Sequence, residues 1–422
     1  MIKTQTTLQK VFFWNMMGSL SSALISVFLL MVVSRALSTL DSDIYAFSYS
    51  LGNMMVVVGL FQVRNFQATD ITQKYSFSEY FLVRLITCFI MVAITVTYLV
   101  STSYDAYKIQ IIFYITLYRV SDALSDLYQG LFQQHERLDI AGKSLSFRNT
   151  ILSILFTVIV ITTHRLLLAI QLVCLLSFAF IFFYDVRKSL YFDRVAVRQL
   201  SNPSLLKAGF KLMKESFPLF LNGFLIIYIY NEPKYVLDAL TGLGKVELGA
   251  QTIFNILFMP AFVMNLMMLF FRPLITQMAI YISKKQLDNF KRLQIRLFFY
   301  LFGAGLIILI GSALLGIPFL NILYGVELSN YWMSFMLIMV GGAIGSFSTA
   351  IDNILTAMRC QKYLLIPYVG SFCASLLMTG YLVESYQILG ASLSFVLTML
   401  IWLILSIAVY MFTKKKVEKG DL

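Results

Sequence analysis

Charge is what this sequence has least of. Asp, Glu, Lys and Arg make up 13% of its 422 residues, about half the usual share of roughly 25% in soluble domains. With 59% hydrophobic residues and a mean hydropathy of +0.80, an ordinary globular fold is excluded. Cysteine is scarce too: Cys88, Cys174, Cys360 and Cys373 show neither a disulfide framework nor metal-ligand spacing. The two histidines, His135 and His164, are expected at opposite membrane sides, so they share no site. No proline precedes Pro203. Gly142-Lys143-Ser144 looks like the end of a phosphate loop, but Arg137 stands where such a loop needs glycine. Asp41-Ser42-Asp43 mimics an acidic metal pair yet falls in a short external turn. The sequence therefore calls for no cofactor and no metal, and no enzymatic activity is expected of it. Any transport has to draw on an ion gradient or on the gradient of the cargo.

What the chain has in abundance is apolar runs. A spanning helix needs about 20 apolar residues, because lipid leaves unsatisfied backbone groups without partners. That window places spans near 11–34, 44–63, 79–100, 107–133, 146–163 and 166–184. A second set follows near 217–239, 249–275, 295–317, 331–356, 363–383 and 388–412. The fold class expected is an all-α integral membrane protein of about twelve transmembrane helices. The first run follows Lys3 and Lys10, exceeds a signal-peptide core and lacks a small-residue cleavage site. It is expected to stay as span 1. The Phe and Tyr residues read mostly as lipid-facing bulk and interface anchors.

The net charge of +12 invites a nucleic-acid reading, which its distribution answers. Only Arg35, Lys108, Arg165 and Lys245 fall on one side, with Arg119 and Lys234 inside the membrane. The other 27 of the 33 Lys and Arg lie on the side of the N-terminus and the even-numbered connections, span edges included. The positive-inside rule then makes both termini cytoplasmic, and nucleic acid is not an expected partner. The cluster Arg187, Lys188, Arg194, Arg198, Lys207, Lys211 and Lys214 reads as topology and solvation. The same cluster also suits anionic membrane lipids.

The polar stretch 185–216 divides the spans six and six, predicting lobes at 1–184 and 217–422 joined by a cytoplasmic linker. Six is even, so the halves enter the membrane in the same direction, as parallel repeats do. Arg35-Ala-Leu-Ser-Thr-Leu after span 1 matches Asp238-Ala-Leu-Thr-Gly-Leu after span 7. Spans 2 and 8 each end on an arginine, Arg64 and Arg272. Spans 4 and 10 carry Asp126 and Asp352, followed by Gln134 and Gln361. Pro233 and Pro260 fall inside spans 7 and 8, where each removes a helical hydrogen bond and favours a kink, static or hinged.

Ionisable groups cost at least about 2.5 kcal/mol each in hydrocarbon, so those that remain usually face a cavity or a partner. Arg119, Asp122, Asp126, Gln129 and Gln133 recur at intervals of three and four, which sets them on one stripe of span 4. Arg119 and Asp122 are close enough to pair, leaving Asp126 as the free carboxylate. In span 7, Asn231, Lys234 and Asp238 share a face beside Pro233, and Glu232 points elsewhere. Two readings stand for that face: a binding or gating position, or Lys234 and Asp238 snorkelling to the outer interface. Asn15, Ser19, Ser22 and Ser26 in span 1 read as close helix packing.

These segments resemble those of a known family. Ser34-Arg35-Ala36-Leu37, the run from Leu127 to Ser144 and the run from Asn231 to Asp238 are similar to stretches of the Wzx-type flippases. That family is the polysaccharide-exporter branch of the multidrug/oligosaccharidyl-lipid/polysaccharide flippase superfamily. The chain departs from it where Ser38 and Asp43-Ile44 replace glycines common after the first arginine. The resemblance implies two six-helix lobes around a central cavity that opens to each side in turn. It implies a polyprenyl-pyrophosphate-linked oligosaccharide as cargo, moved from the inner to the outer leaflet of the cell membrane for surface-polysaccharide assembly. A polysaccharide polymerase is then a natural partner. Pyrophosphate needs cations out of bulk water, best supplied by arginine. Arg64 and Arg272 are expected to receive the headgroup, with Arg119 and Lys234 deeper in the membrane. Asp126, Asp122 and Asp238 are the expected sites for a coupling proton or sodium ion. A cation-coupled multidrug exporter of the same superfamily is the alternative. A membrane polysaccharide polymerase or ligase fits less well, because the external connections are short.

Overall fold

The computed structural model describes residues 8–70, 74–193, 203–266, 268–284 and 286–418. It divides into two compact units, Met1–Ile227 and Tyr228–Leu422. The first unit holds α1 (Leu8–Ala36), α2 (Thr39–Leu60), α3 (Val63–Thr69), α4 (Phe77–Ser101), α5 (Ala106–Gln134), α6 (Leu138–Thr163) and α7 (Leu166–Phe180). A π-helical turn at Ile181–Val186 and a short α8 (Arg187–Ser189) extend α7. The boundary at 227/228 falls inside α9 (Pro203–Gly242), so part of the stretch 185–216 is helical. In the second unit follow α10 (Ala250–Leu266), α11 (Met268–Ser283), α12 (Leu287–Gly311) and α13 (Ile317–Tyr324). The unit closes with α14 (Trp332–Ala357) and α15 (Leu365–Glu418), the latter bent at Gln387 where φ is 50° and ψ −126°.

Eight helical segments among the described residues are long and apolar enough to cross a membrane. The more polar α2 and α5, the pair α10–α11 and the second arm of α15 complete twelve, as the hydropathy pattern predicts. Helices continue through Pro233 in α9 and Pro260 in α10.

Local chemistry starts these helices where the sequence places them. Ser38 caps α2, its Oγ accepting from Asp41 N at 3.1 Å. Ser76 N donates to Glu79 Oε2 at 2.5 Å at the start of α4, half of a capping box. The Asp105 carboxylate accepts from Tyr107 N and Lys108 N to open α5.

The faces are the reverse of a soluble protein. On α4, Arg84, Thr87, Met91 and Thr95 are buried, whereas Phe89 is 75% exposed and Leu85, Val96 and Val100 are exposed with it. Lipid accepts that apolar face, so the hydrophobic drive toward the inside is absent and polar partners decide which face turns inward.

Close backbone approach holds α1 to α6. A Cβ on Gly142 would lie 2.0 Å from Trp14 O, and one on Gly18 would lie 2.8 Å from Gly142 Cα. Asn149 Nδ2 then reaches Ser21 and Ser22 Oγ at 3.2 and 3.1 Å. Of the stripe read in span 1, Ser22 meets α6, joined by Ser21 from outside the stripe. Ser19 is exposed, and Ser26 bonds to Ala23 O of its own helix. Gly142 serves the backbone contact. Outside the spans, Lys74 Nζ meets the Glu215 carboxylate at 2.8 Å, and this bond holds the ammonium above its ordinary value.

Candidate functional site

α2 ends at Leu60, and Phe61 and Gln62 adopt left-handed backbone angles, with φ of 45° and 54°. That turn starts α3 in a new direction and sets Arg64 against α5. The terminal carbonyls of α2 have no intrahelical partner. One of them, Gly59 O, accepts from Arg84 Nη1 at 2.7 Å and Thr87 Oγ1 at 2.8 Å, both on α4.

The polar stripe of α5 is the hub. Arg64 Nη1 donates to Asp126 Oδ1 at 3.1 Å and to Gln129 Oε1 at 2.8 Å. Its Nε and Nη2 both reach Gln133 Oε1 at 3.3 Å. Arg84 Nη2 takes the second oxygen, Asp126 Oδ2, at 2.9 Å. One turn away, Asp122 is bracketed in the same manner, by Arg119 Nη1 at 2.8 Å and Arg148 Nη2 of α6 at 2.5 Å. Arg119 also donates to Asn53 Oδ1 and lies 4.3 Å above the Tyr49 ring. All five residues of the predicted stripe are engaged, in two clusters within the first unit: Arg119 and Asp122 in one, Asp126, Gln129 and Gln133 in the other.

Two sequence readings change here. Asp126 is not the free carboxylate: two arginines hold it, from positions 62 and 42 residues earlier in the chain. The pairing of Arg119 with Asp122 holds, but Arg119 has company within the helices. Arg84 and Arg148, counted as edge charges, have fully and almost fully buried side chains.

Asp185, in the π-helical turn, carried no sequence signal because it lies just past the predicted end of span 6. It is buried and accepts from Ser125 Oγ at 2.8 Å and Ser144 Oγ at 2.5 Å. Gln129 Nε2 donates to Ser125 Oγ at 3.2 Å and so links this carboxylate to Arg64. Ser144, at the end of the spurious phosphate loop, serves this bond. His135 and His164 sit at the C-terminal ends of α5 and α6.

In the second unit, Asn231, Lys234 and Asp238 are buried together on α9. Lys234 Nζ donates to Asn231 Oδ1 at 3.1 Å and lies 4.3 Å over the Phe258 ring, a cation–π contact. Neither Lys234 nor Asp238 extends to an exposed rim, which corrects the snorkelling reading. Glu232 is buried as well. Asp352, the counterpart of Asp126 in the sequence repeat, has no arginine against it among the described residues. Tyr368 Oη, Trp402 Nε1 and Ser406 Oγ donate to it at 2.8, 3.2 and 3.0 Å. The Arg272 side chain lies outside the described residues, as do Arg194 and Arg198 of the basic cluster. Lys207, Lys211 and Lys214 of that cluster are exposed on α9.

No family model matches the chain. Among curated proteins it is 25% identical over 405 residues to the capsular polysaccharide biosynthesis protein CapF of Staphylococcus aureus, covering 94% of this chain and 97% of that one. Among solved structures it is similar to the lipid II flippase MurJ in an inward closed conformation, with TM-score 0.65 and 12% identity, covering 96% of this chain and 86% of that one. An inward-facing multidrug resistance MATE transporter of the MOP superfamily superposes with TM-score 0.61 and 12% identity, covering 99% and 96%. A MOP superfamily transporter from Pyrococcus furiosus, described by a reversed polarity of its binding pocket, gives TM-score 0.55 at 12% identity over 97% and 95%. The structural likenesses establish the fold, that of twelve-helix, two-lobed membrane transporters. The CapF relative stands with the sequence resemblance to polysaccharide exporters.

Proposed function

We propose that this multi-pass membrane protein is a flippase that carries a polyprenyl-pyrophosphate-linked oligosaccharide from the inner to the outer leaflet of the cytoplasmic membrane, for cell-surface polysaccharide assembly. The observation that carries this reading is Arg64, whose side chain is 27% exposed while it is one of four arginines held on two aspartates. A guanidinium that is partly open to water, yet held in a low-dielectric surrounding, suits a diphosphate. The relationship to a capsular polysaccharide biosynthesis protein supports an oligosaccharide as the rest of the cargo.

The lobes 1–184 and 217–422, joined through 185–216 on the cytoplasmic side, alternate access around a central cavity, with both termini cytoplasmic. Arg64 and Arg272 receive the headgroup at the mouth, and Arg119 and Lys234 supply charge deeper in. Asp238 binds the coupling proton or sodium, since Asp122 and Asp126, the other carboxylates expected for that role, are each held by two arginines. Cargo and ion then favour opposite-facing forms, which is what a two-state cycle requires. The protein remakes no bond in its cargo and hands it to a polysaccharide polymerase. The MATE-type fold also admits a cation-coupled drug exporter. The bracketing of Asp122 and Asp126 by arginines argues against an organic cation at that place.

The test is complementation of a deletion strain. Arg64→Ala and Arg272→Ala, expressed at normal levels, should abolish surface polysaccharide and accumulate lipid-linked precursor on the inner leaflet. Full activity in both removes the headgroup role. New drug sensitivity in the deletion strain without precursor accumulation favours the exporter reading.

A further inference from the structure

Binding an anion at Arg64 raises a problem that its neighbours answer. To present its guanidinium to a phosphate, Arg64 has to leave Asp126, and removing one partner of an ion pair held within the helices is costly because the other charge is left uncompensated. Here the second carboxylate oxygen has its own cation. Arg84 Nη2 lies 2.9 Å from Asp126 Oδ2, and its side chain is fully buried. Its Nη1 is tied to Gly59 O at 2.7 Å, and the carbonyl is fixed in turn by Thr87 Oγ1. Gly59 allows this approach: a Cβ there would lie 2.9 Å from Met91 Sδ and 3.3 Å from Ala123 Cβ. Arg84 therefore stays with Asp126 whatever Arg64 does. The other ligands of Arg64, Gln129 and Gln133, are neutral and are left uncharged when it departs.

The second aspartate supplies the contrast. Asp122 also has two arginines, but the Arg119 and Arg148 side chains are both buried, so that arrangement has no exposed arm to exchange.

We infer that Arg84 is a positioning residue: it is the standing counter-ion of Asp126, and by holding that carboxylate it lets Arg64 exchange between Asp126 and a diphosphate headgroup without contacting the cargo itself. This rests on the reading of Arg64 as a headgroup ligand.

The experiment uses the full chain in lipid nanodiscs, with farnesyl diphosphate as the probe and its Kd as the readout. Arg84→Met should weaken binding about tenfold, because Asp126 then keeps Arg64 as its sole cation. Arg84→Met combined with Asp126→Asn should restore binding to near the wild-type value, since Arg64 is released. A merely structural role for Arg84 gives no such rescue. Asp126→Asn alone, which keeps the side-chain shape, should bind the probe several-fold more tightly than wild type, and this arm holds even if Arg84→Met does not fold. Unchanged binding in Arg84→Met, equal weakness in the single and double variants, or weaker binding in Asp126→Asn each overturns the inference. Absence of probe binding to the wild-type protein overturns the headgroup reading itself.

Discussion

Arg84 and Arg64 divide one carboxylate between them, Nη2 of the first at 2.9 Å from Asp126 Oδ2 and Nη1 of the second at 3.1 Å from Oδ1. Asp122, one turn earlier on α5, is shared by Arg119 and Arg148. The two clamps differ in access: the Arg64 side chain is 27% exposed, and the other three are buried.

Stability should follow that difference. Asp122→Asn leaves two buried guanidinium groups without a counter-ion, and breaking a buried pair in this way costs about 3–5 kcal/mol. Asp126→Asn strands only Arg84, because Arg64 can turn toward water, so its loss should be smaller by about 1 kcal/mol or more. Thermal unfolding of both variants in detergent checks the order, and an equal or reversed ranking contradicts it.

Gly142→Ala tests the contact between α1 and α6. The new methyl would meet the Trp14 carbonyl oxygen, which is backbone and gives way only if the helices part. Overpacking of this kind costs about 1–3 kcal/mol. Gly303→Ala, with nothing within 4 Å of the added Cβ, is the matched control. Its midpoint should hold or rise, because alanine favours helix by up to about 1 kcal/mol over glycine.

At Asp352, three neutral donors converge on one carboxylate. Asp352→Asn keeps the shape but replaces an acceptor oxygen with an NH2 donor, leaving at least one buried donor unmatched. The cost is about 1–3 kcal/mol. The Trp402 indole, which donates at 3.2 Å, reports locally: its fluorescence should shift to the red, whereas Trp14 and Trp332 lie elsewhere in the chain.

Lys234 should matter to transport more than to folding. Lys234→Met preserves the stem against Phe258 and removes the charge, so expression and unfolding midpoint should stay near wild type. Export of surface polysaccharide should fall at least tenfold under the function proposed above. Normal export from a well-expressed Lys234→Met protein would remove this residue from the cargo path.

Hydropathy and helical period alone determined the number of spans, the polar stripe on α5 and the shared face of Asn231, Lys234 and Asp238. Each follows from neighbours within a few turns of one helix, and the backbone has to satisfy itself within each span. The partners on the stripe were decided elsewhere. Arg64 and Arg84 reach Asp126 from 62 and 42 residues away, Arg148 reaches Asp122 from another helix, and Ser125 and Ser144 close on Asp185. Sequence spacing sees only the Arg119–Asp122 pair and so leaves Asp126 unpaired. Only tertiary packing brings α3, α4 and α6 against α5, and with lipid accepting the apolar faces, the charges themselves set which sides of those helices turn inward.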